Sequence, residues 1–139
     1  MYLLDTNVLS ELRPGKPRQS EAVRAWASTI PGSQFFLSAI TLMEHEIGIL
    51  RLERKSPPEG GALRAWFRAV VTGFEGRILP FDAAAAMRCA GLHVPDAKSF
   101  RDSMIAATAS AHRFTLVTRN VADFEGCGVQ VVNPWVDNA

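Results

Sequence analysis

The sequence predicts an α/β fold, a parallel sheet covered by helices on both faces. Two observations carry this. Short, wholly apolar runs bounded by turn residues recur along the chain, as strands buried on both faces require. Each gives way to a stretch whose apolar residues recur at helical spacing, and a parallel crossover, which needs a dozen or more residues, usually takes a helix. At 139 residues, 47% hydrophobic and 21% charged, the chain has material for the core of one domain over residues 1–139.

Tyr2-Leu3-Leu4 is the first apolar run and ends in Asp5-Thr6-Asn7; Val8, Leu9 and Leu12 then recur at helical spacing until Pro14-Gly15 stops the helix. A second helix is predicted from Glu21 through Trp26 to Pro31-Gly32, followed by a strand at Phe35 to Ile40. Thr41 opens a long helix to about Lys55. Ser56 to Gly61, with two prolines and two glycines, reads as loop, and Ala62 to Thr72 as helix with Trp66, Phe67 and Val70. Arg77 to Phe81 gives a third strand, its proline favouring a strand end or an edge. Asp82 then caps the alanine-rich helix from Ala83 to about Leu92. Asp102 to about Arg113 is helical, Thr115 to Thr118 is a fourth strand, and Gly128 to Val132 a fifth.

No apolar run approaches the roughly 20 residues that span a bilayer, and Met1-Tyr2-Leu3-Leu4 reaches Asp5 too soon for a signal peptide. The prediction is a cytoplasmic chain with no membrane partner. Cys89 and Cys127, far apart, give neither a disulfide framework nor zinc-site spacing and read as small buried hydrophobes. A net charge of +1 decides nothing about a polyanion, but fifteen Lys and Arg leave enough for a local patch.

Ligands of open parallel sheets bind at the carboxyl ends of the strands. Asp5 follows the first strand directly, Glu44 lies in the first helical turn after the second, Asp123 lies just beyond the fourth, and Asp102 begins a helix. All four can reach one rim. Carboxylates gathered there repel one another, and a hard divalent cation relieves the repulsion. Magnesium, which prefers oxygen ligands and keeps several waters, suits such a set better than zinc does.

Four segments carry a resemblance: Leu3-Leu4-Asp5-Thr6-Asn7; Ser38-Ala39-Ile40-Thr41-Leu42-Met43-Glu44 with Gly48; Asp102-Ser103-Met104-Ile105-Ala106-Ala107-Thr108-Ala109; and Leu116-Val117-Thr118-Arg119-Asn120-Val121-Ala122-Asp123-Phe124. In this order, and with the closing Val132-Asn133-Pro134-Trp135, they resemble the PIN domain, in particular the VapC or FitB-like toxins of type II toxin–antitoxin pairs. The resemblance implies a central five-stranded parallel sheet and an Mg2+- or Mn2+-dependent endoribonuclease. It also implies a homodimer and a hetero-oligomer with a small VapB/FitA-like antitoxin that blocks the site. It places Asp5, Glu44, Asp102 and Asp123 as catalytic and metal-holding acids, with Thr6, Thr118 and Asn120 as polar support. His45 stands where the family usually has an aliphatic residue, and Arg101, before Asp102, can pair with a catalytic acid or bind substrate phosphate.

Plainer readings stand beside these. Thr41-Leu42-Met43-Glu44 is also a capping box, in which Glu44 bonds back to the Thr41 amide, and on spacing alone the cap is favoured. Asp102 can simply occupy a helix N-terminus and Asp123 a turn; Thr118 and Asn120 can be turn formers. Asp5 is harder to dismiss, because a carboxylate directly after a buried strand is costly to desolvate without a partner. Glu11 and Arg13 read as a solvated helix face, and Glu46 points away from Glu44. His45-Glu46 lacks the second histidine of a zinc-protease motif, position 49 being Ile. His93 and His112 read as residues of helix ends, and the tryptophans as core or interface. Two rival functions follow: a non-catalytic PIN-like protein-binding module, and a phosphatase built on Asp5, which would want aspartate where the chain has Asn7.

Overall fold

The computed structural model describes residues 1–136. Five parallel strands, β1 (Tyr2–Leu4), β2 (Phe35–Ser38), β3 (Ile78–Leu79), β4 (Thr115–Val117) and β5 (Val131–Val132), form one sheet in the order β3-β2-β1-β4-β5. The chain builds outward from β1 through β2 to β3, then returns to the other side of β1 for β4 and β5. The strand order therefore reverses between β1 and β4, where open parallel sheets leave a crevice for ligands.

Successive strand residues face opposite sides, so Leu3 and Leu116 enter one core while Leu4 and Val117 enter the other. The first core takes Ile105, Ala106 and Ala109 of α6 (Phe100–His112), whose small side chains let the helix lie close to the sheet, together with Phe124 and Cys127. Helix α5 (Ala83–Leu92) packs against α6, and Asp82 caps it by accepting from the Ala85 amide at 3.0 Å. The second core joins Val8 and Leu9 of α1 (Thr6–Glu11) to Phe35, Leu37 and Trp26, the last from α2 (Glu21–Ser28). Both cysteines are buried and unpaired with each other, as expected of small hydrophobes.

Four expectations are corrected. Helix α3 (Ala39–Lys55) starts two residues before Thr41, because Ser38 caps it by accepting from the Thr41 amide at 3.0 Å. The loop predicted at Ser56 to Gly61 is mostly helix: α4 (Pro57–Gly73) begins at its proline, which is tolerated in the first turn, where a missing N–H costs nothing. Gly60 is there for packing, since a Cβ at that position would lie 2.5 Å from the Glu53 Cα of α3. Helix α6 begins at Phe100, two residues early, which puts Asp102 inside its first turn. Glu11 is not on a solvated face: only 4% exposed, it accepts from the Ser20 amide at 2.8 Å and pairs with Lys16 at 2.5 Å, closing the loop between α1 and α2. Among the described residues no helix is long and apolar enough to cross a membrane.

Candidate active site

Asp5 stands one residue beyond β1, at the strand-order reversal. Its amide continues the β1–β4 ladder by donating to the Val117 carbonyl at 2.9 Å, and its extended backbone makes it the N-cap of α1. The carboxylate is therefore fixed at both oxygens: Oδ1 accepts from the Thr6 amide at 2.7 Å, and Oδ2 from the Thr118 hydroxyl at 2.7 Å. It is fully buried.

Glu44 lies one helical turn into α3 and does not bond back to Thr41. With Ser38 already serving the Thr41 amide, Glu44 is free to turn toward β1, where its Oε1 accepts from the Thr6 hydroxyl at 2.6 Å. The capping-box reading is thereby overturned. Glu46, two positions on, points elsewhere, to Arg64.

Arg101 joins these acids to Asp102. Its Nη2 donates to Asp5 Oδ1 at 2.7 Å, its Nε to Glu44 Oε2 at 2.6 Å, and its Nη1 to Asp102 Oδ1 at 2.7 Å. One guanidinium thus spends three donors on three carboxylates, an arrangement for which its planar fork is suited and a lysine is not. Burial works against the Arg101 charge, but the bond to Glu44, the charge of Asp5 and the bond to Asp102 outweigh it and hold the group above its ordinary range.

The charge balance bears on whether a metal fits. Three carboxylates meet one guanidinium, and no other cation is ion-paired with them among the described residues. Two negative charges are left over, which is the charge of one divalent ion. The donors are carboxylate and hydroxyl oxygens throughout, the set a hard cation takes. The Arg101 guanidinium lies between them, and among the described residues no group of three or more His, Cys, Asp or Glu is spaced to hold a metal ion. The residues fit a magnesium-type ion in chemistry and charge, with Arg101 as the competing cation.

A fully buried strand-end acid, a second acid on the helix after β2 and a third on the helix before β4 thus meet at one guanidinium. Residues 2–125 match the PIN domain family model. The chain belongs to the PIN-domain family. It is 36% identical to the VapC ribonuclease Y4jK of Sinorhizobium fredii, over 97% of this chain and 98% of that protein. It is also 36% identical to toxin FitB of Neisseria gonorrhoeae, over 99% of this chain and all of that one. A chain in a structure of FitAB bound to an IR36 DNA fragment superposes with a TM-score of 0.89 at 34% identity, covering 100% of this chain and 99% of that one. The five-stranded parallel sheet is that of PIN-domain structures.

Against the site expected of a PIN domain, the structure gathers three of the four acids. Asp123 is exposed on a short 3-10 turn (Val121–Phe124), and its carboxylate makes no hydrogen bond or ion pair among the described residues. Of the polar support, Thr6 and Thr118 touch the acids directly, whereas Asn120 contributes its amide, which donates to the Thr118 hydroxyl at 3.1 Å, and not its side chain. Sequence reasoning missed Asn7, whose amide group reaches the same hydroxyl at 3.4 Å and the Arg119 amide at 3.3 Å. The signal was present, since Asn7 stands in the segment that carries Asp5 and Thr6.

The His45 ring stacks on Phe67 and meets the edge of Trp66, with its Nε2 buried and unpartnered among the described residues. His93 shares a 2.8 Å hydrogen bond with the Ser103 hydroxyl at the α5–α6 turn, and His112 ends α6 beside Phe114. None of the three lies in the acid cluster.

Proposed function

We propose that this chain is a divalent-metal-dependent endoribonuclease, the toxin of a type II toxin–antitoxin pair, working in the cytoplasm as one domain. The observation that carries the reading is the trio of carboxylates sharing one guanidinium at the strand-order reversal, two negative charges in excess. The likeness to a VapC ribonuclease and to FitB, over nearly the whole of each chain, supports RNA as the substrate and a VapB/FitA-like antitoxin as the partner. A homodimer and a toxin–antitoxin hetero-oligomer are part of the proposal.

Asp5, Glu44, Asp102 and Asp123 would hold Mg2+ or Mn2+, directly or through water. Bound there, the ion supplies an activated water and stabilises charge building on the phosphoryl and leaving oxygens. The chain's own residues prepare the site. Thr118 and the Thr6 amide fix the Asp5 oxygens, so the acid needs no reorganisation when charge arrives. Thr6 aims Glu44 at Asp5. Arg101, freed from the acids, offers a bidentate donor to the scissile phosphate.

Cleavage of a mixed set of structured and single-stranded RNAs by antitoxin-free protein, with Mg2+, Mn2+ or chelator, tests the reading beside Asp5→Asn, which keeps the shape and removes the charge. Metal-dependent cleavage that falls at least about 100-fold in the variant is the expected result, on the scale of losing a transition-state electrostatic contact. A second reading has one observation in its favour: Arg101 already satisfies all three acids, so the site could be structural and the chain a non-catalytic binding module. That reading predicts no rise in the unfolding midpoint with Mg2+ or Mn2+, whereas a ligand of the native state must raise it.

A further inference from the structure

Beside the acid cluster lies a cavity of about 490 Å3 whose lining includes Asn7, Glu11, Lys16, Arg18, Arg119 and Trp135. Asn7 belongs to both places, since its side chain reaches the Thr118 hydroxyl that holds Asp5. The groove therefore begins one residue from the proposed reaction centre.

Its walls are built and not merely surface. The loop between α1 and α2, which carries Lys16 and Arg18, is tied down by the buried Glu11, which accepts from the Ser20 amide and from Lys16. Arg24 pins the same loop by donating from Nη2 to the Glu11 and Arg13 carbonyls, each at 3.0 Å. On this scaffold Arg18 sits at φ 55°, a left-handed conformation uncommon for a non-glycine residue, and its exposed guanidinium makes no hydrogen bond or ion pair among the described residues. The Arg119 guanidinium, also lining the groove, lies 5.2 Å from the centre of the Trp135 ring and has no carboxylate partner among the described residues. Glu11 neutralises Lys16, and among the described residues no acid pairs with either arginine. The groove presents positive charge and an aromatic face next to a cluster that repels polyanions.

We propose that this groove is the subsite that holds the single-stranded RNA flanking the cleaved bond, with Arg18 and Arg119 on backbone phosphates and Trp135 offering its ring to a base. The proposal rests on the nuclease reading above for the placement of the cleaved bond. Its physics is that of single-strand binders, in which a basic groove tracks the backbone and an aromatic ring stacks a base without reading its sequence. A chain with three acids at its reaction centre needs such a hold nearby, because phosphate approaches those acids against repulsion.

The test is binding of a fluorescently labelled single-stranded RNA 12-mer to antitoxin-free protein, followed by anisotropy in chelator, where the proposed nuclease is silent. Arg18→Ala and Arg119→Ala, both at exposed side chains, should each weaken binding several-fold and lower the slope of log K against log salt by about 0.7, the value for one lost phosphate contact on a single strand. Trp135→Leu should weaken binding without changing the slope, and Arg51→Ala, on the exposed face of α3, should change neither. Wild-type affinity and salt slope in both arginine variants would overturn the subsite. No binding by the wild-type protein would overturn both the subsite and RNA as substrate. Binding that is lost in the arginine variants, with no metal-dependent cleavage in any condition, would keep the groove and sink the nuclease.

Discussion

Arg101→Gln separates a structural from a metal-competing role for the guanidinium at the centre of the acids. The replacement keeps length and some hydrogen-bonding capacity but removes the charge. Three charge-assisted bonds of 2.6–2.7 Å are lost, and the carboxylates left behind have side chains 0%, 26% and 18% exposed. Stripping one partner from a fully buried pair costs about 3–5 kcal/mol, and an exposed pair is worth about 0–1 kcal/mol. Arg101 is 32% exposed, so solvent screening brings the expected loss to about 2–3 kcal/mol in chelator at neutral pH and low salt.

Mn2+ should reverse part of that loss. The ion no longer competes with a resident cation, so its affinity should rise at least about tenfold, and in excess ion a tenfold gain adds about 1.4 kcal/mol of stability. Urea unfolding of both proteins in chelator and in excess Mn2+, with Mn2+ affinity read directly from the loss of its free electron-resonance signal, measures each quantity. An equal stability gap between the two proteins with and without Mn2+ would mean that the guanidinium and the ion do not share the acids.

The strand-end acid was legible in the sequence because its cause is local: a carboxylate that follows three residues of buried strand has almost nowhere to go but the sheet's carboxyl edge. Glu44 was not legible in the same way. Ser38-x-x-Thr41-x-x-Glu44 offers two helix caps in tandem, and only the length of β2 decides that Ser38 takes the role, which releases Glu44 toward Thr6. The triple use of Arg101 joins residues 96 and 57 positions away, and pairing at that separation leaves no periodic trace. Glu11 was misread for a related reason, since its partners lie in a loop whose path no local pattern gives. Gly60 shows the same limit in reverse: a glycine beside prolines reads as loop, while its actual cause is the α3 backbone passing at Glu53, a neighbour known only after folding.

Gly60→Ala should lower the urea midpoint by an amount equivalent to about 1–2 kcal/mol, because the roughly 1 kcal/mol gain in helix propensity is outweighed by forcing a methyl group onto the Glu53 backbone 2.5 Å away; an unchanged or raised midpoint would mean that α3 and α4 can part at no cost. Burial against Phe67 and Trp66 lowers the His45 pKa from its ordinary 6.5, against smaller upward pulls from a hydrogen bond with the Thr6 backbone and from the Glu44 charge. The unfolded chain therefore binds the proton near pH 6.5 while the folded chain still resists it, so stability present above pH 6.5 declines as the pH falls below that value and levels off only once the lower, folded-state pKa is passed. His45→Phe keeps the ring among aromatic neighbours and removes the proton, so comparing urea midpoints at pH 7.5 and pH 5.5 should give a smaller drop in the variant than in the wild type. Equal drops would place the acid sensitivity elsewhere and leave the buried, unpartnered Nε2 without a thermodynamic consequence.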